Sequence, residues 1–140
     1  MKLPPLSLSV WSLAVAFEAR LQRELAPLGL SVAGFRLVGE LMGAPDGLRT
    51  GELAQRLGVK PPSVTTLVAR LVEAGVVTVA DAPGDARGTR VRLAKDAPLG
   101  EGVQVLERLE KSLAKGLTRG QRHELAGALS AMASRLGSAS

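Results

Sequence analysis

The chain has no cysteine, asparagine, isoleucine or tyrosine, and only one histidine. Without cysteine there is no disulfide, no thiolate metal site and no thiol redox switch. The lone His123 makes a histidine-based metal centre or a Ser-His-Asp triad improbable. Aromatic residues are 2% of the chain, so a core has to be assembled from Leu, Val and Ala. No apolar run approaches the ~18 residues a membrane-crossing helix needs. Lys2, the apolar stretch to Phe17 and Ala14-Val15-Ala16 imitate a secretory signal. Pro4, Pro5 and interspersed serines interrupt that stretch, and its apolar spacing continues past Glu18 and Arg20. The chain therefore reads as cytoplasmic, with no membrane partner.

What is present fits a folded domain. The 140 residues are 46% hydrophobic and 22% charged, enough for one modest core. The net charge of +5 is unevenly placed. Residues 1–47 carry four basic and four acidic side chains, whereas residues 48–95 carry eight and four. The latter are Arg49, Arg56, Lys60, Arg70, Arg87, Arg90, Arg92 and Lys95 against Glu52, Glu73, Asp81 and Asp85. Residues 96–140 carry six basic and five acidic. A basic excess that sits mostly in the middle third favours a polyanion there, nucleic acid first. An anionic membrane surface or an acidic protein partner has the same electrostatic appeal.

Apolar spacing divides the chain into elements. Val10, Leu13, Ala14, Phe17, Leu21 and Leu25 recur at three and four, predicting an amphipathic helix over 7–27 that Pro27 and Gly29 close. Ser31 is a good N-cap for a second helix facing inward with Phe35, Val38, Leu41 and Met42. After the turn Gly43-Ala-Pro-Asp-Gly47, Thr50 is placed to cap a third helix through Leu57, which Gly58 breaks. A fourth runs over 61–74 with Val64, Leu67, Val68 and Leu71 inward, and Gly75 is its stop. Val76-Val77-Thr78-Val79 and the alternating Thr89-Arg-Val-Arg-Leu93 then read as two strands joined by the loop 82–88. Asp96 and Pro98 open a further helix bearing Leu99, Val103, Leu106, Leu109 or Glu110, Leu113 and Leu117 roughly on one side. Thr118-Arg-Gly-Gln121 has capping-box spacing for a last helix with Leu125, Leu129, Met132 and Leu136.

The expected fold is mainly α with a small β-wing, in a single domain over 1–140. A winged helix-turn-helix spans 31–95, with a recognition helix at 61–74 and a wing at 76–93. It is flanked by N- and C-terminal dimerisation helices, 7–27 and 97–137. A partner subunit is the natural cover for their apolar stripes, which a core of that size cannot bury.

The strongest functional signal runs from Thr50 to Leu71. A helix-turn-helix needs a small residue where its helices touch, a glycine at the turn and apolar residues locking the pair. Ala54, Gly58 and the set Leu53, Leu57, Val59, Val64 and Leu67 meet those needs. An ordinary helical hairpin has the same core requirements, and the basic excess weighs toward DNA. Lys60, Pro61, Pro62, Ser63, Thr65, Thr66 and Arg70 lie away from the apolar face, where short hydroxyls permit close approach to a groove. Ser63 is equally well placed to cap the helix. In the wing, Arg87 and Arg90 sit on or beside a flexible tip. There an arginine can enter the minor groove, with Asp85 holding it by a charged hydrogen bond.

Gly51-Glu-Leu-Ala-Gln-Arg-Leu-Gly58, Pro62-Ser-Val-Thr65, Leu67-Val-Ala-Arg-Leu71, Gly75-Val and Asp85-x-Arg87 resemble the multiple antibiotic resistance regulator (MarR) family. The likeness extends over nearly the whole chain, including Leu28-Gly-Leu-Ser31. It implies a homodimer that binds an inverted-repeat operator in double-stranded DNA and represses. It also implies that Arg87 is the wing arginine and Asp85 its orienting carboxylate. Lys60 departs from the Ser or Thr that often caps the recognition helix, and Thr66 from a common basic residue. Leu93-Ala-Lys replaces Leu-Thr at the strand end. Many members release DNA when an aromatic acid binds between the dimerisation helices and the winged helix. The resemblance thus implies a small aromatic or phenolic effector, for which Trp11, Phe35, Arg36 and His123 are the candidate residues. Plain core packing is the competing role for Trp11 and Phe35.

Three other classes compete. A helical enzyme subunit would need a nucleophile–base pair, metal-ligand spacing or a phosphate loop, and the sequence shows none; no cofactor is expected. An RNA-binding winged helix and a protein-interaction winged helix remain, the latter disfavoured by Arg87 and Arg90.

Overall fold

The computed structural model describes residues 1–81 and 89–137. Helix α1 spans Pro5–Leu25, a 3-10 turn follows over Ala26–Leu28, and α2 spans Val32–Met42. Strand β1 is Leu48–Arg49, α3 is Thr50–Leu57 and α4 is Pro61–Glu73. Strands β2 (Val77–Asp81) and β3 (Thr89–Leu93) precede α5 (Gly100–Leu113) and α6 (Arg119–Leu136). No single helix among the described residues is long and apolar enough to cross a membrane.

The helix ends follow local chemistry. Proline at the first position lacks the N–H that a helix start leaves unpaired, so α1 begins at Pro5, two residues before the expected start. The Ser31 hydroxyl accepts from the Gly34 N–H at 2.9 Å and fixes the start of α2. Thr50 does not cap α3 but is its first residue. Arg49 holds the cap position, and its N–H donates to Glu52 Oε1 at 3.0 Å. At α6 the capping box forms as spaced. Gln121 N–H donates to Thr118 Oγ1 at 3.1 Å, and Thr118 N–H donates to Gln121 Oε1 at 2.9 Å. Helix α5 starts at Gly100 rather than near Asp96, because Leu99 is drawn into the core ahead of it.

The sheet has the order β1-β3-β2 and is antiparallel throughout. Leu48 and Val79 both pair with Val91, and Arg49 pairs with Arg90. The two-residue β1 is too short to leave a period in the sequence and was not expected.

Two apolar clusters form the interior. One joins Leu37, Val38, Leu41, Leu53, Val64, Val68, Leu71, Val76, Val91 and Leu99, which is the winged-helix core. The other joins Leu21 and Leu25 of α1 to Val105 and Leu109 of α5. Phe35 packs against both. The inner face of α2 is Gly34, Leu37, Val38 and Leu41; Met42, expected inside, is 46% exposed. Val59 is likewise outside the helix-turn-helix lock. On α5, Val105 is buried while Leu113 is exposed, and Leu117 falls beyond the helix end. Helix α6 buries no residue, and the first half of α1 exposes Leu6, Leu8, Val10, Trp11, Leu13 and Val15.

Candidate nucleic-acid interface

Helices α3 and α4 share the winged-helix core, in which Ala54 of α3 is buried, and α3 ends at Gly58. Gly58 has φ +68°, a left-handed conformation that glycine adopts without a Cβ penalty. The Val59 N–H returns to the Ala54 carbonyl at 3.0 Å and closes the end of α3. Lys60 is the N-cap of α4 in extended conformation, and Pro61 and Pro62 occupy its first turn, where no N–H partner is required. Val64, Val68 and Leu71 anchor the helix inward. Lys60, Pro61, Pro62, Ser63, Thr65, Thr66 and Arg70 are all exposed, so every described sequence candidate on this helix lies on its surface; Arg70 also borders the cavity against α2.

The hydroxyls on that surface differ in what they can read. Thr65 Oγ1 donates to the Pro61 carbonyl and Thr66 Oγ1 to the Pro62 carbonyl, each at 3.2 Å. With the proton committed, each oxygen is left as an acceptor, suited to the amino groups of adenine or cytosine in the major groove. Ser63 does not cap: the N-cap is Lys60, without a side-chain cap bond.

Around the sheet, Arg90 is half-buried and its Nη1 donates to the Gly47 carbonyl at 3.2 Å. Arg92, which sequence reasoning passed over, is exposed and its Nε donates to the Asp46 carbonyl at 3.0 Å. The strand alternation could have found it, because positions 90 and 92 share a face. Asp85 and Arg87 lie outside the described residues.

The four effector candidates are not brought together. Trp11 is 66% exposed on α1, and His123 is exposed on α6. Arg36 pairs with Glu40 one turn along α2. Phe35 alone lines a cavity of about 170 Å³ between α2 and α4, with Leu30, Gly34, Leu67, Arg70 and Leu71.

Residues 28–88 match the family model for the MarR family. No curated protein matches the chain. A mutant of MarR from Escherichia coli, complexed with operator DNA, is 25% identical with a TM-score of 0.71, over 91% of this chain and 93% of that one. The wild-type apo form of that protein is 24% identical with a TM-score of 0.73, over 94% and 98%. CouR from Rhodococcus jostii, bound to p-coumaroyl-CoA, is 16% identical with a TM-score of 0.78, over 91% and 90%. Residues 28–88 therefore belong to the MarR family, and the chain as a whole has the winged-helix fold of that family's regulators.

Proposed function

We propose that the chain is a homodimeric, cytoplasmic transcription regulator that binds an inverted-repeat operator in double-stranded DNA and represses. The observation that carries this reading is the outer face of α4: three short hydroxyl side chains flanked by Lys60 and Arg70, on a helix locked from behind by three buried residues. Small side chains let the helix enter a major groove, the hydroxyl oxygens accept from base edges, and the cations meet phosphates. The relative bound to operator DNA shares this fold, which supports the assignment.

The apolar surfaces argue for the dimer. Leu125, Leu129 and Leu136 on α6 and Leu6, Val10, Leu13 and others on α1 stand exposed. Helix α6 has no fully buried residue within its own chain, and a second copy would cover both helices. Two recognition helices then fall on half-sites about 10 base pairs apart. A dimer held on such a site would exclude polymerase from it, which is the physical basis of repression. We place a small aromatic or phenolic effector in the cavity between α2 and α4, where a ring inserted behind α4 would tilt it out of register. CouR with its bound p-coumaroyl thioester supports an aromatic ligand on this fold.

Selection from random duplexes with the purified protein tests the reading, alongside sedimentation and anisotropy. An enriched palindrome, bound far better than single strands or RNA, is the expected result. No enriched duplex, or preference for RNA, would overturn it.

A further inference from the structure

We propose that Arg90 and Arg92 form a paired phosphate clamp on the outward face of the sheet, gripping two neighbouring phosphates of one DNA strand. The proposal rests on the DNA-binding reading above and adds a backbone contact beyond α4 and the wing tip.

The geometry begins with strand alternation. Val91, between the two arginines, is fully buried, so positions 90 and 92 both face away from the core. Two residues of antiparallel strand rise about 6.8 Å. That step is comparable with the separation of adjacent phosphates along one strand. The cross-strand partners of Arg90 and Arg92 on β2 are Ala80 and Thr78, neither of them charged.

Both guanidiniums are anchored, and the anchors are neutral. Arg90 donates to the Gly47 carbonyl and Arg92 to the Asp46 carbonyl, at 3.2 and 3.0 Å. Gly47 has φ +84°, and a Cβ there would meet Arg92 Cγ at 2.6 Å and the Val91 carbonyl at 2.7 Å. The turn before β1 is thus shaped to receive the Arg92 stem. Four other arginines are tied to carboxylates instead: Arg20 and Arg108 to Glu24, and Arg36 and Arg56 to Glu40. A carboxylate cancels the charge it holds; a carbonyl fixes the side chain and leaves the charge intact. Neither Arg90 nor Arg92 has an ion pair among the described residues. Arginine carries five donors, and each of these two has committed one to its anchor. Such a side chain is preorganised for an anion, because its rotamer freedom was lost on folding rather than on binding. Residues 48–95, which contain the sheet, also hold most of the basic excess.

The test is a salt titration, by fluorescence anisotropy, of the selected duplex and of an unrelated duplex of equal length. Wild type, Arg92→Gln and Arg92→Lys are compared. Losing one phosphate contact should flatten the log–log salt slope by about 0.9 in Arg92→Gln, and weaken both duplexes by the same factor. Arg92→Lys should keep the slope. An unchanged slope in a folded Arg92→Gln protein would overturn the clamp while leaving DNA binding intact. If that variant does not fold, wild type is titrated against duplexes with one neutral methylphosphonate at each position in turn. Two adjacent sensitive phosphates on one strand, outside the bases read by α4, are expected; no such pair overturns the clamp. A wild type that binds no duplex removes the clamp and the underlying reading together.

Discussion

Phe35 of α2 closes directly on Gly102 of α5: a Cβ built on Gly102 would overlap the ring edge and lie 3.1 Å from Leu30 Cδ1. Phe35 packs on both the winged-helix core and the α1–α5 core, so this contact is a joint between the two. Gly102→Ala should destabilise the protein by about 1–3 kcal/mol through overpacking, read as a lower urea midpoint at constant m-value. Adding Phe35→Leu should recover part of that loss, since the smaller side chain makes room. Two independent, additive losses would show that the ring and the glycine are not coupled.

Charges on α6 should dissolve the dimer without touching the winged helix. Leu125 and Leu129 are exposed, and no residue of α6 is buried in its own chain. The pair Leu125→Glu and Leu129→Glu should sediment as a folded monomer. Its affinity for a palindrome should fall to that of a half-site. A double variant that remains a tight-binding dimer would place the interface elsewhere.

Thr66 stands on the exposed face of α4 with its proton committed to the Pro62 carbonyl. Thr66→Ala removes an acceptor and should relax preference at one base pair, by about 1–3 kcal/mol of discrimination at most. Repeating the duplex selection with the variant checks this. Identical preferences would mean that Thr66 reads no base.

Arg87→Ala should weaken binding and lower the salt slope by about 1. Asp85→Ala is the sharper experiment. Loss of a negative charge near DNA should tighten binding by simple electrostatics, whereas loss of an orienting partner should loosen it. We expect loosening, because a long arginine side chain loses rotamer freedom on binding unless something already holds it. Titration of both variants against one duplex at several salt concentrations gives the sign. Tighter binding by Asp85→Ala would leave Asp85 an ordinary turn residue.

Much of this molecule is legible in its sequence. The Ser31 cap, the capping box at Thr118, the stops at Gly58 and Gly75 and the outward face of α4 depend on residues within a turn or two of each other. Such interactions leave a period or a spacing that the sequence displays. Leu37 rather than Met42 on the inner face of α2, Val105 rather than Leu113 on α5, and the exposure of Val59 were decided otherwise. Several apolar residues on one helix suit burial equally well by spacing, and only the position of the neighbouring helix selects among them. The same holds for β1, whose two residues form a strand because Val91 and Arg90 are there to pair with them. Arg90 and Arg92 are the clearest case. Their anchors lie 43 and 46 residues earlier in the chain, on backbone carbonyls that carry no side-chain signature. Local chemistry determined the elements and the helix that faces outward. Contacts distant in sequence decided which side chains are held, and a carbonyl anchor leaves no mark on the residue that supplies it.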